Sequence, residues 1–303
     1  MPGVSDVKLP PPASVDELVD RLAAAGYLSD RRLATVVFVA LRIGKPLFLE
    51  GEAGVGKTEA ALAMARVLGA RLIRLQCYEG IDLAHAAYEW NYARQLLHIR
   101  TLGDSAAGPA AIERDLFSTD YLLRRPLLDA IDNDDPVAPV LLIDEIDRSD
   151  EEFEAFLLEV LNDFSISIPE LGTVRAVRPP FVVVTGNRTR EVHDALKRRC
   201  LYHWIDYPSL EREVAIVRVR APEVSERLAR RVAQVVQELR RLDLYKLPGV
   251  AETVDWARSV AVLAADGVPG PDVLDATIGA AVKYQEDLER VREALPGILA
   301  GER

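Results

Sequence analysis

A glycine-rich segment constrains this chain more than any other feature of its sequence. Residues 51–58 read Gly-Glu-Ala-Gly-Val-Gly-Lys-Thr and directly follow the apolar run Leu47-Phe48-Leu49. The pattern G-x-x-x-x-G-K-[ST], placed after a strand and before a helix, is typical of a phosphate-binding loop, or P-loop. Its glycines let the backbone turn tightly, so that main-chain N–H groups surround an anionic phosphate. The segment therefore predicts an α/β fold in which a strand leads into a nucleotide site.

The individual positions of the P-loop have expected roles toward ATP. We expect Lys57 to reach the β- and γ-phosphates and the Thr58 hydroxyl to ligate Mg²⁺. The helix that starts at Lys57 adds a partial positive charge at its N-terminus. ATP and Mg²⁺ are accordingly the predicted cofactors. The other nucleotide-binding residues predicted in this segment are Gly51, Glu52, Ala53, Gly54, Val55, Gly56 and Glu59.

A second group of polar residues follows two later apolar runs. Residues 140–143 are fully apolar, which is typical of a central strand in a parallel sheet, and Asp144 and Glu145 come directly after them. Ligands of such sheets bind at the carboxyl edge. We therefore expect Asp144 to hold Mg²⁺, partly through water, and Glu145 to activate the attacking water. Asn187, which follows the apolar run 181–184, is expected to position that water or to touch the γ-phosphate.

A basic turn, Lys197-Arg198-Arg199, precedes the last apolar run at 201–205. An arginine supplied across a subunit boundary can stabilise the charge that develops in phosphoryl transfer. Arg198 and Arg199 are therefore predicted catalytic residues, with Arg199 the preferred one.

The succession of apolar patterns predicts the fold class. Strand-like runs occur at 47–49, 71–75, 140–143, 181–184 and 201–205, with a hairpin expected over 166–177. A helix is expected to begin at Ser149, with Glu152 completing a capping box. Residues 76–136 show no clean period, so we expect irregular loops and one or two helices there, including one near 126–131. Beyond Pro208 only helical patterns remain, at about 209–220, 223–242, 251–265 and 271–293.

These patterns predict a five-stranded parallel α/β/α sheet domain with a β-hairpin insertion, followed by a smaller all-helical lid. The expected boundaries are a flexible N-terminal arm over 1–13, the nucleotide-binding domain over 14–208 and the lid over 209–303.

Bulk properties narrow the function classes. The net charge of −11 argues against broad nucleic-acid binding, because affinity for phosphate backbones depends on clustered lysine and arginine. No apolar stretch approaches transmembrane length, and the N-terminus does not have the pattern of a secretory leader. Cys77 and Cys200 lie far apart in the sequence and in apolar surroundings. We expect both to be buried thiols, which favours a cytoplasmic location for the protein. The four histidines show no metal-binding spacing.

The order of these motifs resembles that of the AAA+ ATPases. Within them, the string Leu142-Ile-Asp-Glu-Ile-Asp-Arg148 resembles the Walker B segment of the MoxR group, with Asp147 in the place of that group's usual Asn. A narrower resemblance is to the CoxD-like accessory proteins of molybdenum–copper carbon monoxide dehydrogenase, carried by residues 51–59, 75–82, 195–202 and 252–257. It implies an ATP-driven hexameric ring, a partner with a von Willebrand A domain, and a molybdenum hydroxylase client whose metal centre needs sulfur and copper.

The resemblance leaves alternatives open. The ring could instead activate Rubisco or another metalloenzyme, or serve gas-vesicle assembly, and a nucleotide-gated scaffold with little turnover is a third reading. Many of these ATPases carry a sensor arginine at the start of a lid helix, often as Ser-Pro-Arg. Here residues 251–254 read Ala-Glu-Thr-Val, and Arg258, about a turn later, is the candidate substitute.

Overall fold

The computed structural model describes residues 10–102, 109–263 and 270–301. The chain divides into two compact units. The first consists mainly of Thr35–Glu50 and Met64–His203, and the second of Val15–Ala34, Gly51–Ala63 and Trp204–Arg303. The P-loop therefore groups with the helical C-terminal part, and the predicted boundaries at 13/14 and 208/209 stay a prediction. Most of the predicted N-terminal arm, residues 1–9, lies outside the described residues.

The strands are short, and five of them form one sheet. The strands of the described residues are β1 Leu47–Gly51, β2 Leu72–Gln76, β3 Tyr88–Trp90, β4 Leu122–Arg124, β5 Val140–Asp144, β6 Ser165–Ile168, β7 Gly172–Arg175, β8 Phe181–Gly186 and β9 Leu201–Ile205. The main sheet has the order β2-β5-β8-β1-β9. The pairs β2–β5, β5–β8 and β1–β8 are parallel. Every residue of β1 and β5 is buried, which explains the apolar runs 47–49 and 140–143. The order and parallel pairing of the strands confirm the predicted fold class.

Helices alternate with these strands along the chain and form the C-terminal part. They are α1 Val15–Ala24, α2 Arg31–Ile43, α3 Lys57–Leu68, α4 Leu83–Ala86, α5 Tyr92–Leu102, α6 Pro109–Leu116, α7 Pro126–Ile131, α8 Glu151–Asp163, α9 Asp194–Arg199, α10 Leu210–Arg220, α11 Glu226–Leu239, α12 Val250–Leu263, α13 Pro271–Thr277 and α14 Gln285–Ala300. Helix α3 ends before Gly69, whose φ of +60° suits a glycine after a helix C-terminus. Helix α7 spans the predicted residues and has Pro126 in its first turn, where no main-chain donor is needed.

The predicted capping box at Ser149 is wrong. Helix α8 begins at Glu151, and the Asp150 carboxylate accepts the N–H of Phe153 at 2.8 Å. The Ser149 hydroxyl donates instead to the carbonyl of Ile146 at 2.8 Å, because residues 146–148 form a 3₁₀ turn that Ser149 closes. The predicted hairpin is confirmed, since β6 and β7 pair antiparallel with Ile166 opposite Val174.

Residues 76–136 are more ordered than their sequence predicted. They contain α4, α5, α6 and α7 as well as an antiparallel pair formed by β3 and β4. Tyr88, Trp90 and Tyr121 are buried in the core of the first unit. Elements of three to six residues are too short to show a period, so the aromatic residues of this stretch read as irregular although they are core residues.

The helices α10 to α14 enclose a separate core around the fully buried Trp256. The continuous helix predicted over 271–293 is wrong, because α13 ends at Thr277 and α14 begins at Gln285. A 3₁₀ turn over 278–280 lies between them, and the Lys283 ammonium donates to the carbonyls of Gly279 and Ala280. Those carbonyls thereby find a partner outside a regular helix.

Candidate functional site

The P-loop holds its lysine against its own backbone. Gly54 and Gly56 have φ values of +77° and +97°, the left-handed region that glycine adopts without steric cost. Lys57 is buried, and its ammonium donates to the carbonyl oxygens of Gly51 at 2.8 Å and Glu52 at 2.6 Å. Both acceptors are neutral, so the positive charge of Lys57 is not cancelled by these contacts. The loop therefore fits an anionic phosphate group in both backbone conformation and charge.

The first glycine of the P-loop is required by packing. A Cβ atom added to Gly51 would lie 2.4 Å from the carbonyl oxygen of Ile205. Ile205 is the last residue of β9, the strand next to β1 in the sheet. Since no heavy atom fits at that distance, any larger residue at position 51 would displace the start of the loop.

Asp144 is a buried carboxylate whose two oxygens both have partners. Its Oδ1 accepts a hydrogen bond from the Thr185 hydroxyl at 2.5 Å. Its Oδ2 accepts from Nε of Arg74 at 3.0 Å and from Nη2 of the same side chain at 2.5 Å. A buried carboxylate needs such partners to offset the loss of contact with water. Neither contact could be predicted from the sequence, because Arg74 and Thr185 lie on neighbouring strands and far from Asp144 along the chain.

Glu145 lies between the ends of two other strands. Its Oε2 accepts a hydrogen bond from Nε2 of Gln76 at 3.0 Å, and its Oε1 lies 3.4 Å from Nδ2 of Asn187. Its main-chain N–H donates to the Thr185 hydroxyl oxygen at 3.0 Å. The backbone at Glu145 has a φ of +57°, which is uncommon for a residue other than glycine. The structure thus brings Asp144, Glu145 and Asn187 together at the carboxyl edge of the sheet.

Asp147 secures the turn that carries Asn187. The Asp147 side chain is buried, and its Oδ2 accepts from the main-chain N–H of Thr189 at 2.8 Å and from the Thr189 hydroxyl at 2.6 Å. These contacts fix residue 189, two positions after Asn187. The carboxylate that stands in the place of the usual asparagine therefore has a structural partner.

In the basic turn at the end of α9, Lys197 is half-buried, whereas Arg198 and Arg199 are exposed. Lys197 turns inward, with its ammonium 3.6 Å from the buried carboxylate of Glu50. Glu50 also accepts a hydrogen bond from the Tyr202 hydroxyl at 2.9 Å, and burial raises the pKa of Tyr202 to about 12. Arg198 pairs with Asp194 at 2.7 Å, and Arg199 donates to Asn162. The structure does not bring either arginine into hydrogen-bonding contact with Asp144, Glu145 or Asn187 among the described residues.

Glu59 and the candidate lid arginine have partners in the second unit. Glu59, in the first turn of α3, accepts a hydrogen bond from Nη1 of Arg220 at 2.9 Å. Nε of Arg258 donates to Oε1 of Glu223 at 3.1 Å, and the same guanidinium donates to the main-chain carbonyl of Arg220. Arg258 is therefore held at the C-terminal end of α10.

The magnesium site predicted from the sequence uses few protein ligands. Across the described ranges, no three His, Cys, Asp or Glu side chains cluster so that they could hold a metal ion. Mg²⁺ usually takes one or two protein ligands together with phosphate oxygens and water. Thr58 and Asp144 are the predicted ligands of that kind. None of the helices that the structure describes is both long and apolar enough to cross a membrane.

A strand, a P-loop and a helix, with an acidic pair at the carboxyl edge of the same parallel sheet, are the features of a P-loop nucleoside triphosphatase. Residues 46–200, just over half of the chain, match the sequence profile of the AAA domain, dynein-related subfamily. The chain belongs to this family and is an ATP hydrolase of the AAA+ class.

Solved structures of low sequence identity share the fold. The RuvB Holliday junction branch migration motor of Thermotoga maritima is 17% identical with a TM-score of 0.50, over 97% of this chain and 80% of that chain. A single-residue variant of the same RuvB is 15% identical with a TM-score of 0.51, over 96% of this chain and 82% of that one. At such identities the likeness concerns the fold alone. No curated protein sequence matches the chain.

Proposed function

We propose that this chain is a Mg²⁺- and ATP-dependent remodelling ATPase of the MoxR group. The observation that supports this best is the setting of Glu145, whose two carboxylate oxygens face the amides of Gln76 and Asn187 next to the buried Asp144. The P-loop follows β1 and the acidic pair follows β5, and both strands belong to one sheet. Because ligands of such sheets bind at the carboxyl edge, one triphosphate is the substrate we assign to both motifs.

The roles of the residues follow from their charges and contacts. When bound, Mg²⁺ would offset the charge that develops on the phosphoryl oxygens. Lys57 and the main-chain N–H groups of the P-loop bind the phosphates, and Thr58 and Asp144 hold the metal. Glu145 accepts a proton from the attacking water, and its position between two amides aims the carboxylate. Asn187 orients the same water.

We propose a hexameric ring in which Arg198 or Arg199 acts on the nucleotide of a neighbouring protomer. The Arg198 side chain is 80% exposed and pairs across one helical turn with Asp194, an exposed contact of little energetic value. Moving the Arg198 side chain from Asp194 to a phosphate bound by another protomer would therefore cost little free energy. Mixing Arg199→Ala protomers with Glu145→Gln protomers tests this, because a shared site restores ATP turnover in mixed rings while each variant alone is inactive. No recovery in mixtures of either arginine variant would contradict a shared site.

The client we propose is a metalloenzyme, specifically a molybdenum hydroxylase of the carbon monoxide dehydrogenase type, with a von Willebrand A domain partner. The support is resemblance in residues 51–59, 75–82, 195–202 and 252–257. Gln76 and Lys197, which lie in two of these segments, contact Glu145 and Glu50. Rubisco or another metalloenzyme is the alternative client. Proteins retained by a Glu145→Gln ring in ATP identify the client directly.

We also propose that the protein works in the cytoplasm. Cys77 and Cys200 are buried free thiols, as predicted. Unpaired cysteines are typical of reducing compartments.

The central experiment compares steady-state phosphate release by the wild type, Glu145→Gln and Glu159→Gln. Glu159 is exposed on α8 and provides a matched control for loss of one carboxylate. We expect Glu145→Gln to lose at least about 100-fold in turnover, the scale of a general base, while its ATP affinity is retained. Equal turnover in the wild type and Glu145→Gln would remove Glu145 from the mechanism. Tight ATP binding with very slow turnover in the wild type would instead support the nucleotide-gated scaffold.

A further inference from the structure

Two glycines of the second unit bring the P-loop into direct backbone contact with the start of α12. A Cβ atom added to Gly249 would lie 2.8 Å from Cα of Gly54 and 2.9 Å from the carbonyl oxygen of Ala53. Conversely, a Cβ atom added to Gly54 would lie 3.0 Å from Cα of Gly249. The two main chains touch, and a side chain at either position would separate them.

One hydrogen bond joins the same two segments. The main-chain N–H of Val250 donates to the carbonyl oxygen of Gly54 at 2.9 Å. Val250 is the first residue of α12, so this N–H has no acceptor within its own helix. A carbonyl of the P-loop therefore satisfies one of the unpaired donors at the start of a lid helix.

The segment before α12 is also held by hydrogen bonds from Arg240. Arg240 donates through Nε to the carbonyl of Pro248 at 2.8 Å and through Nη1 and Nη2 to both oxygens of Glu213. Glu213 is fully buried, and the Thr253 hydroxyl lies 2.6 Å from its Oε1. A bidentate arginine–carboxylate pair fixes direction as well as distance. The carbonyl of Pro248 is thus linked through Arg240 to Glu213 on α10, which also binds Thr253 on α12.

The start of α12 is further stabilised by its own side chains. The main-chain N–H of Gly249 donates to Oε2 of Glu252 at 3.1 Å, and the carbonyl of Gly249 accepts from the N–H of Thr253 at 3.1 Å. Gly249 therefore acts as the residue that caps α12, with Glu252 reaching back from the third helical position. Movement of Gly249 would shift the first turn of α12 with it.

We propose that the contact of Gly54 with Gly249 and Val250 couples occupancy of the P-loop to the position of α12. In this proposal the contact takes over the role of the sensor arginine that many AAA+ ATPases carry at the start of a lid helix. Here that position is occupied by Ala251, Glu252 and Thr253. The inference rests on the proposed binding of ATP by the P-loop. The carbonyl of Gly54 is fixed by Val250, so a change of the loop on binding phosphate displaces the lid helix. Because such coupling is reciprocal, the factor by which ATP shifts the equilibrium between helix positions is also the factor by which the helix position changes ATP affinity.

Two variants disturb the contact by different physical means. Gly249→Ala inserts a methyl group against the backbone of Ala53 and Gly54. Val250→Pro deletes the N–H that donates to Gly54 and leaves the helix intact, because proline is favoured at the first helical position. Gly279→Ala is the control for the first variant, since nothing lies within 4 Å of its added Cβ. Gln285→Pro, at the exposed first residue of α14, is the control for the second.

The measurements are calorimetric titration with Mg²⁺–ATP and hydrogen exchange at the amides of residues 250–253 with and without nucleotide. We expect at least a tenfold rise in Kd for Gly249→Ala and Val250→Pro, and less than a twofold change for the two controls. Nucleotide should change exchange at 250–253 in the wild type and in the controls, but not in the two test variants. Thermal unfolding of each variant verifies that the lid remains folded.

The outcomes separate this inference from the proposed function. If the wild type binds no ATP, the proposed function itself fails. If the wild type binds ATP and both test variants match it in Kd and in nucleotide-dependent exchange, the coupling contact is refuted while ATP binding stands.

Discussion

Arg74 donates two hydrogen bonds to one oxygen of Asp144 across the adjacent parallel strands β2 and β5. The Asp144 side chain is only 2% exposed, whereas that of Arg74 is 51% exposed. A solvated cation therefore neutralises the carboxylate to which we assign Mg²⁺. In this assignment, Mg²⁺ and Arg74 compete for the carboxylate of Asp144.

Replacing Arg74 by alanine should separate these two effects. Loss of the partner of a buried carboxylate should lower the free energy of unfolding by roughly 1 kcal/mol, the lower end of the range because Arg74 is half exposed. The same change should lower the Mg²⁺ concentration that half-saturates ATP binding, because Asp144 loses a competing cation. Urea unfolding and Mg²⁺ titrations measure the two quantities. Arg71→Ala, which removes exposed contacts with Asp129 and Asp135, is the control.

Gln76→Ala should slow the chemical step without weakening ATP binding. The Gln76 amide holds Oε2 of Glu145 at 3.0 Å, so its removal leaves the proposed base less well directed. We expect a fall of about tenfold in the single-turnover rate, which corresponds to about 1.4 kcal/mol, with Kd for ATP unchanged. Gln234→Ala, on the exposed side of α11, should change neither quantity. An unchanged single-turnover rate in Gln76→Ala would show that Glu145 does not depend on this contact.

Arg240→Ala should destabilise the lid strongly. Arg240 and Glu213 are 6% and 0% exposed, and removal of one partner leaves a buried charge uncompensated. Such losses cost about 3–5 kcal/mol. The neighbouring Arg241→Ala removes an exposed contact with Glu238 and should cost about 0–1 kcal/mol. Denaturant unfolding monitored by the fluorescence of the buried Trp256 measures both, and similar losses in the two variants would contradict this reading.

The two cysteines should resist alkylation at neutral pH. Burial raises the pKa of Cys77 to about 12, with a further contribution from the nearby Asp144 charge, and burial likewise raises the pKa of Cys200 to about 12. Because only the thiolate reacts, both thiols should stay unmodified by iodoacetamide between pH 7 and pH 9 in the folded protein. Mass spectrometry after labelling measures this. The same chain in guanidinium should label at both positions, and rapid labelling of the folded protein would place a thiol at the surface.

Local patterns predicted the sheet and the P-loop well. Three strands of the main sheet, β1, β5 and β8, contain continuous apolar runs because they are buried on both faces, so their positions can be read directly from the sequence. The helix over 126–131 was predictable because Pro126 marks its first turn. At 149–152 two acceptors compete for the same helix start, and only the preceding 3₁₀ turn decides in favour of Asp150.

Contacts between distant parts of the chain could not be predicted in this way. Arg74 lies 70 residues before Asp144, and only the register that places Gln76 opposite Asp144 brings the two strands together. Gly249 shows no local pattern that marks it as a partner of the P-loop. The break at 278–284 was equally hidden, because the helical period of 271–293 continues through it. Side chains that complete the candidate site are therefore set by tertiary packing.

The left-handed backbone at Glu145 sets thermodynamic stability against the proposed catalytic role of this single residue. A φ of +57° costs a residue with a Cβ atom on the order of 1–2 kcal/mol relative to glycine. Selection for stability alone would favour glycine at this position, whereas the proposed role in turnover requires the glutamate. Descendants that abandoned hydrolysis could relax this tension by mutation, which makes position 145 an informative marker when active and degenerate copies of such a gene are compared.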